Sequence, residues 1–296
     1  MKLLITTQAL DINDPVLGFF VRWVEEFALH CEQVTVICLR KGEYTLPPNV
    51  RVFALGGGNK ISRSYKLLKG AYKFRNNYDA VLVHMNPEYL VAAGFLWRML
   101  GKRTVLWYMH KSVNLKLRVA TLLVNAVVTA TRESFRLPTK KLTILHHGID
   151  TEYFCQDASV PRGSHWLSVG RLNVSKRHDL IVREAAEAGA ALRIAGEGPE
   201  RSRLEALARE LGAHVEFLGG LVHTQLRDEY RRAALFVHRS ETGSLDKVVL
   251  EALACGCPVS TTDPALKFLE SEGPEYIRQH HSLTSLIPRI LEVLHG

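Results

Sequence analysis

Short apolar runs alternate with longer helical segments along the whole chain, and this alternation constrains the fold more than any other feature. Strand-like runs of the first half cover residues 3–6, 33–39, 51–55, 80–84, 104–108, 126–130 and 142–145, with helical periodicity between them at 19–30 and 87–100. The alternation restarts at residue 165 and continues to residue 261. Alternating strands and helices form right-handed βαβ units around a parallel sheet. The sequence therefore predicts an α/β protein with two doubly wound domains.

The length of 296 residues supports two cores of ordinary domain size. We expect an amino-terminal Rossmann-like domain over residues 1–150 and a carboxy-terminal one over residues 165–296. Between them, residues 151–164 are polar, lack periodicity and contain Pro161 and Gly163, which predicts a linker. The last helical segment, 283–294, is a candidate to pack back on the first domain.

Composition and cysteine usage indicate a soluble, cytoplasmic protein. Apolar residues make up 47% and charged residues 23%, so extensive disorder is not expected. Arg98, Arg118, Asn125 and Arg132 interrupt the most apolar regions, so we expect no membrane span. The five cysteines have no paired zinc spacing, and their odd number and apolar neighbours predict reduced thiols.

The formal net charge of +8 calls for an acidic partner. Basic residues concentrate in one segment of the first half, at Lys60, Arg63, Lys66, Lys69, Lys73 and Arg75. Ile61, Tyr65, Leu68 and Tyr72 recur there at helical spacing, which predicts a helix whose basic residues lie mainly on the opposite face. Two interpretations stay open: a solvated face, or a surface that meets anionic lipid or a lipid-linked acceptor. Nucleic acid is not an expected partner.

The segment 240–259 has the pattern of a ligand site. A turn containing Gly243, Ser244 and Leu245 precedes a helix that carries Glu251 among apolar residues. The first turn of a helix has unpaired backbone N–H groups and a partial positive charge, which suit a phosphate or a hydroxyl group. The helix ends at Gly256, and a β-branched strand follows.

Three further turns complete the pattern. They are Gly170-Arg171-Leu172 with Lys176, Gly196-Glu197-Gly198-Pro199, and His146-His147-Gly148-Ile149-Asp150. Together with segment 240–259, these motifs resemble those of the retaining glycosyltransferases of family 4. The resemblance covers most of the chain, with the specific motifs in the second half. It implies the GT-B fold, in which two Rossmann-like domains face each other across a cleft that binds a nucleotide sugar.

The resemblance gives the basic residues of the second half a role. It implies that Arg171 and Lys176 hold the diphosphate of the donor, and cations at a helix start are electrostatically misplaced unless an anion joins them. The alternative is a pair of surface charges. The sequence has no Asp-x-Asp, so we expect neither a metal nor another cofactor.

Glu251 matches the second of two glutamates that lie eight positions apart in the family, and the resemblance implies that it binds the ribose hydroxyls. The alternative is a glutamate paired with Lys247 on a solvated face. The chain departs from the family at the first glutamate, where Gly243 stands; Glu241 and Asp246 are candidates to replace it in the contact with the donor sugar.

The remaining candidates of the second half lie in turns. The resemblance implies that Gly170, Gly196 and Gly198 lie beside the nucleotide and that Leu218, in Phe217-Leu218-Gly219, lines the base. The alternative is that these are simple turns.

In the first half, His110 follows a predicted strand and resembles the histidine that contacts the donor sugar in the family. His84 ends another strand and is a second candidate, although a histidine at a strand end is often structural. Gly18 lies in the turn after the first strand and, by resemblance, lets the backbone approach the diphosphate.

The sequence therefore predicts a retaining glycosyltransferase that moves a sugar from a nucleoside diphosphate to a saccharide or lipid-linked acceptor. We expect it in the cytoplasm or at the inner face of the membrane. The alternative from another class is a non-catalytic nucleotide-sugar-binding partner subunit, which Gly243 favours. A dehydrogenase is disfavoured because Thr6-Thr7-Gln8, not Gly-x-Gly, follows the first strand. A nucleotide-sugar epimerase is a further alternative on the same fold.

Overall fold

Two parallel β-sheets, each in its own structural unit, organise the chain. The computed structural model describes residues 1–14, 16–240 and 246–296. The first unit comprises Met1–Gly148 and Leu283–Gly296, and the second comprises Ile149–Ser282.

The sheet of the first unit has seven described strands in the order β3-β2-β1-β4-β5-β6-β7, all parallel. The order reverses between β1 and β4, as in doubly wound sheets. The strands are β1 (Lys2–Leu10), β2 (Gln33–Lys41), β3 (Val50–Ala54), β4 (Ala80–His84), β5 (Arg103–Trp107), β6 (Ala126–Thr129) and β7 (Leu142–Ile144).

Helices cover both faces of this sheet. One face packs against α1 (Phe20–His30) and α10 (Leu283–His295), and the other against α2 (Lys60–Lys73), α3 (Pro87–Met99) and α4 (Leu115–Leu123). Helices α2, α3 and α4 each begin at an asparagine cap. Their capping residues, Asn59, Asn86 and Asn114, each accept a hydrogen bond from a backbone N–H of the first turn. These caps fix where α2, α3 and α4 begin.

The sheet of the second unit has five described strands in the order β10-β9-β8-β11-β12, again all parallel. The strands are β8 (Trp166–Val169), β9 (Leu192–Ala195), β10 (Val215–Gly219), β11 (Leu235–His238) and β12 (Val259–Thr261). The helices are α5 (His178–Glu187), α6 (Arg201–Glu210), α7 (His223–Arg232), α8 (Lys247–Ala254) and α9 (Pro274–His281). The order of this sheet reverses between β8 and β11.

The prediction of two doubly wound α/β domains is therefore confirmed. The structure adds α4 and α9, which the sequence patterns did not show. It also extends the first strand from residue 6 to Leu10.

The division between the units lies close to the predicted boundary, but the segment predicted as a linker belongs to the second unit. Phe154 is buried against Tyr230, and Arg162 donates hydrogen bonds to the carbonyls of Ala233 and Gly256. The polar composition of residues 151–164 gave no indication of these contacts. Helix α10, the candidate to pack back, lies in the first unit against α1.

Helix α2 differs from its sequence-based interpretation. The helix forms as predicted, but Leu67 and Ala71 are the residues it buries, while Ile61, Tyr65 and Tyr72 are exposed. The helix has two apolar stripes, and the smaller one, with Leu67 and Ala71, is the one that packs against the sheet. The basic residues therefore lie beside an exposed apolar stripe.

No helix within residues 1–14, 16–240 and 246–296 is long and apolar enough to cross a membrane. The five cysteines have free thiols, and burial raises the pKa of Cys255 to about 12 and that of Cys257 to about 11. Both thiols are packed in the core of the second unit.

Candidate nucleotide site of the second unit

The carboxyl ends of β8 and β11 meet where the strand order of the second sheet reverses. In doubly wound sheets, ligands bind at this position. The loop after β8 contains Gly170, Arg171 and Lys176, and His238 and Arg239 lie at the end of β11. The fold therefore brings the predicted residues Gly170, Arg171 and Lys176 to one edge of the sheet, together with His238 and Arg239, which the sequence did not single out.

The loop after β8 is held by the loop after β9 through backbone hydrogen bonds. The N–H of Leu172 donates to Glu197 O over 2.9 Å, and the N–H of Glu200 donates to Leu172 O over 3.0 Å. Gly170 also donates to Ala195 O over 3.0 Å. These bonds fix the backbone on both sides of Arg171.

Two of the predicted glycines make this approach feasible. A Cβ atom on Gly196 would lie 1.9 Å from Gly170 O, and one on Gly198 would lie 2.2 Å from Leu172 O. Gly196 also has a φ of +146°, which side chains disfavour. Both glycines thus shape the loop that carries Arg171, whereas their predicted contact with a nucleotide stays a prediction.

Arg171 is exposed, and its side chain makes no hydrogen bond or ion pair with any residue that the structure describes. An exposed guanidinium on a fixed backbone is ready to bind an anion, because its fork of donors matches phosphate oxygens. The predicted contact of Arg171 with a diphosphate stays a prediction.

Lys176 is placed differently. Its Nζ lies 2.5 Å from Asp246 Oδ2, and His238 Nε2 lies 2.8 Å from the same oxygen. His238 Nδ1 lies 3.0 Å from Thr261 Oγ1. With a proton on Nε2, His238 donates to Asp246, and the Thr261 hydroxyl donates to Nδ1.

Asp246 carries the negative charge of this cluster. Burial opposes ionisation of Asp246, but the hydrogen bond from His238 and the charge of Lys176 outweigh it and lower the pKa of Asp246 to about 2. Asp246 is therefore an anion that neutralises Lys176. Both contacts are to Oδ2, and the role of Asp246 as a substitute for the missing glutamate stays a prediction.

Glu251 is 3% exposed on α8 and contacts Lys247 and Tyr230. Lys247 Nζ lies 3.1 Å from its Oε1, and the Tyr230 hydroxyl donates to its Oε2 over 3.3 Å. The alternative interpretation was right about the pairing with Lys247 but wrong about a solvated face. Burial raises the pKa of Tyr230 well above its usual range, and the charge of Glu251 adds to this effect, so the hydroxyl stays a donor.

Besides His238, sequence reasoning missed two further buried groups around this site. Arg239 is 9% exposed and donates to both carboxylate oxygens of Glu184, over 2.7 Å to Oε1 and 2.6 Å to Oε2, and to Ser260 O over 3.0 Å. This arginine ties the end of β11 to α5 and β12. Its position directly after a predicted strand was the one available signal.

His178 is the second missed group. It begins α5, and its Nδ1 lies 3.2 Å from Ser168 Oγ of β8. Burial, with the positive charge of Lys176 as a smaller cause, lowers the pKa of His178 to about 4. The ring is neutral near pH 7, so it adds no charge to the Lys176 side of the loop.

The other candidates of the second unit also stay predictions. Leu218 is half-buried at the end of β10, where the carbonyl of Gly219 accepts a hydrogen bond from Gly196 over 2.7 Å. Glu241, Gly243, Ser244 and Leu245 lie outside the described residues.

In the first unit, the structure separates the two predicted histidines by environment. His110 is exposed after β5, and its Nδ1 accepts a hydrogen bond from Ser112 N over 3.2 Å, which leaves Nε2 as the protonated nitrogen of the neutral ring. His84 is 2% exposed, stacks on Phe20 at 3.9 Å and lies 3.0 Å from Thr7 Oγ1 through its Nδ1. His110 is accessible to a ligand, whereas His84 is a core residue in this conformation.

The carboxyl ends of β1 and β4 form a second, smaller feature. A cavity of about 330 Å³ lies there, lined by Gln8, Met85, Asn86 and Glu88. Met85 has a φ of +62°, which costs a non-glycine residue roughly 1–2 kcal/mol. Strained turns of this kind cluster at functional sites. Gly18, the remaining candidate, is buried in the turn before α1, where its N–H donates to Asp14 O over 2.9 Å.

Residues 159–281 match the model of the family described as glycosyl transferases group 1. This range lies within the second unit and contains the loops of the candidate site.

Curated relatives match less than half of the chain. The chain is 32% identical over 136 residues to the N-acetylgalactosamine-N,N'-diacetylbacillosaminyl-diphospho-undecaprenol 4-alpha-N-acetylgalactosaminyltransferase of Campylobacter jejuni, which covers 44% of this chain and 37% of the relative. It is 33% identical over 136 residues to the D-inositol 3-phosphate glycosyltransferase of Mycobacterium tuberculosis, which covers 40% of this chain and 28% of the relative. The alignment thus spans about a third of the length of these relatives.

Solved structures match over the full length. The Anabaena protein HepE in complex with UDP has a TM-score of 0.76 at 16% identity, and the match covers all of both chains. Sucrose-phosphate synthase from Thermosynechococcus elongatus has a TM-score of 0.69 at 17% identity, covering 100% of this chain and 91% of the other. At these identities the likeness shows the fold alone. The chain therefore has the fold of the GT-B glycosyltransferases, and its residues 159–281 match the glycosyl transferases of group 1.

Proposed function

We propose that this protein is a glycosyltransferase that uses a nucleoside-diphosphate sugar as its donor. The observation that carries the proposal is Arg171, an exposed and unpaired cation among the described residues, on a loop that Gly196 and Gly198 hold at the switch point of the second sheet. This loop lies within the range that matches the group 1 glycosyl transferases. Diphosphate binding by Arg171 and Lys176, and ribose binding by Glu251, follow as parts of the proposal.

The finer proposal is a family 4 enzyme that retains the configuration of the transferred hexose. In the transfer, the bond between the anomeric carbon and the phosphate oxygen breaks, and a bond to the acceptor oxygen forms on the same face of the sugar. The departing phosphate takes the acceptor proton. This chemistry asks the protein for positioning and charge stabilisation, which Arg171 and Lys176 supply to the leaving diphosphate without a metal.

The acceptor in this proposal is a saccharide or a lipid-linked saccharide, used in glycan or glycolipid synthesis in the cytoplasm. Two observations support this choice: one relative is named for a diphospho-undecaprenol acceptor, and the cavity beside Met85 lies at the switch point of the first sheet. The sequence departure at Gly243 favours a second candidate, a nucleotide-sugar-binding partner subunit without catalysis.

Binding and turnover distinguish these candidates. We expect nucleoside diphosphates, with UDP tested first, to raise the melting temperature of the wild type, since binding to the native state stabilises it. Arg171→Ala should weaken this binding by roughly tenfold or more, the value of a lost charged hydrogen bond to phosphate. Arg183→Ala, on the same unit, serves as the matched control. No stabilisation by any nucleoside diphosphate would refute the proposal.

Release of free diphosphate from the sugar nucleotides that bind then separates an enzyme from a partner subunit. We expect slow release without acceptor and faster release with one. His110→Ala should keep nucleotide affinity and lower turnover, while unchanged turnover would remove His110 from the mechanism. Binding of a nucleotide sugar without release, with or without saccharide acceptors, would favour the partner subunit.

A further inference from the structure

The outward face of α2, α3 and α4 in the first unit exposes an unusual amount of apolar surface. Eight of the seventeen large apolar side chains that are exposed among the described residues lie on these three helices, and only Leu29 is exposed on the helices of the opposite layer. Isolated apolar residues on a surface need no explanation, whereas a concentration on one face indicates a binding surface.

Helix α3 carries the centre of this surface. Val91, Phe95 and Met99 follow each other at intervals of four residues and are 47%, 68% and 70% exposed. Residues four apart lie on one face of a helix, so the three side chains form a continuous stripe.

The neighbouring helices extend the apolar surface on both sides, because α2 and α4 each pack against α3. Helix α2 exposes Ile61, Tyr65 and Tyr72, and α4 exposes Leu115 and Leu122. We call the exposed residues of these three helices the α2–α4 face. It is a two-dimensional surface and not a groove, which suits a flat partner better than a single inserted helix.

The charge of these helices is almost entirely positive. Together α2, α3 and α4 contain eight lysines and arginines and one acidic residue, Glu88. These helices therefore carry much of the positive charge of the chain, whose formal net charge is +8. Glu88 is held between Lys116 and Lys60. The side chains of Lys69 and Arg118 make no ion pair or hydrogen bond with any residue that the structure describes. The face thus combines apolar residues with uncompensated cations.

The end of the face is basic as well. A cavity of about 380 Å³ at the carboxyl ends of α3 and α4 is lined by Arg98, Lys102, Arg103 and Lys141, and none of its described lining residues is acidic. Lys141 donates to the carbonyls of Thr121 and Val124, and the Arg98 side chain has no hydrogen bond or ion pair within the described part of the chain. An anionic group would fit this cavity.

We propose that the α2–α4 face docks on the surface of an anionic lipid bilayer, with Phe95 and Met99 at the level of the acyl chains and Lys69, Lys73 and Arg98 at the lipid phosphates. Exposed apolar and aromatic side chains beside lysines and arginines are the composition that binds such an interface. A second copy of the chain is a poorer occupant, because two such faces would bring like charges together. Lys66 takes no part, since its Nζ donates to Leu55 O and Gly57 O.

Co-sedimentation of the full-length protein with vesicles tests the proposal. We expect binding to vesicles of phosphatidylcholine mixed with 40% phosphatidylglycerol and much weaker binding to phosphatidylcholine alone. Binding should fall as sodium chloride rises from about 50 to 500 mM, because salt screens the lysine contacts. No binding to the anionic vesicles at low salt, or equal binding to both kinds, would overturn the proposal.

Matched variants then assign the binding to this face. Lys69→Ala with Lys73→Ala should weaken binding about 25-fold, since each cation near an anionic surface contributes about fivefold. Phe95→Ser with Met99→Ser should weaken it by roughly tenfold or more. The controls are Arg203→Ala with Arg209→Ala, which removes the same charge from the second unit, and Leu29→Ser, which removes a 72% exposed side chain from α1.

Controls that lose binding as strongly as the face variants would overturn the assignment, and circular dichroism melting shows whether each variant is folded. Analytical ultracentrifugation tests whether a second copy of the chain occupies the face instead. A wild-type dimer that becomes a monomer in the Phe95→Ser, Met99→Ser variant would show that the face is a self-association surface and would refute lipid docking. Vesicle binding needs no donor or acceptor, so this test stands or fails separately from the proposed transferase activity.

Discussion

Replacement of Gly196 by alanine is the sharpest test of how the candidate site is held. The Cβ atom would lie 1.9 Å from the carbonyl oxygen of Gly170, and the obstacle is backbone, not a flexible side chain. The φ of +146° adds strain of roughly 1–3 kcal/mol, and overpacking adds about the same. We expect Gly196→Ala to lower the free energy of unfolding by about 4 kcal/mol.

Gly189 provides the matched control in the same unit. It follows α5 with a φ of +60°, and an added Cβ would meet nothing within 4 Å. Its alanine variant suffers strain of roughly 1–2 kcal/mol, offset in part by the lower entropy of the unfolded chain. Gly189→Ala should therefore cost only about 1 kcal/mol.

Urea denaturation followed by circular dichroism at pH 7 and 25 °C measures both variants against the wild type. A loss for Gly196→Ala no larger than that for Gly189→Ala would refute the close contact between the two loops. Nucleotide affinity is a second readout, since a displaced Gly170 moves Arg171. We expect Gly196→Ala to lose affinity and Gly189→Ala to keep it.

Three further outcomes are expected. The pKa of His178 is about 4 in the folded state and 6.5 as an ordinary value, so the unfolded chain takes up a proton on His178 before the folded protein does. The free energy of unfolding is therefore not reduced by this residue above pH 6.5, and it falls by up to about 3 kcal/mol as the pH falls from 6.5 towards 4. His178→Gln should remove this dependence in urea titrations at pH 4.5–7.5, and an unchanged slope would contradict it. Glu251→Gln should weaken nucleoside diphosphate binding but not inorganic pyrophosphate binding, as measured by calorimetry, whereas equal losses would exclude a ribose contact. Lys176→Ala removes the cation and leaves the Asp246 anion beside the bound phosphates. Adding Asp246→Asn to this variant should therefore raise its nucleotide affinity again by roughly tenfold. A double variant that binds nucleotide more weakly than Lys176→Ala alone would show that Asp246 itself contacts the donor.

Local patterns predicted the fold because the apolar periods that define strands and helices are properties of short segments. The strand β4 is an unbroken buried run, and the turns at Gly170 and Gly196 follow directly from strand ends. The same logic placed Arg171 and Lys176 at one edge of the second sheet.

Contacts between distant segments were beyond this reasoning. Lys176 and Asp246 are seventy residues apart, and Arg239 and Glu184 are fifty-five apart. Helix α2 shows a second limit, since periodicity identified the stripe of Ile61, Tyr65 and Tyr72 but did not show that the sheet packs against Leu67 and Ala71 instead. Which stripe a helix buries depends on its partner, and a single sequence does not contain that partner's position.

The departure at Gly243 acquires a physical meaning from these contacts. Asp246 was a candidate to replace the missing glutamate, but a group that contacts a donor sugar must have a free oxygen directed at it. In the described conformation Oδ2 of Asp246 already accepts hydrogen bonds from Lys176 and His238, and these contacts lower the pKa of the carboxyl to about 2. A sugar contact through Oδ1 of Asp246 stays a prediction. Its carboxylate therefore does for Lys176 what a phosphate would do, which is to neutralise an ammonium that is largely withdrawn from water. In the proposed function, the diphosphate of the donor carries more charge than one carboxylate, so we expect it to compete with Asp246 for Lys176 while Asp246 keeps its hydrogen bond from His238.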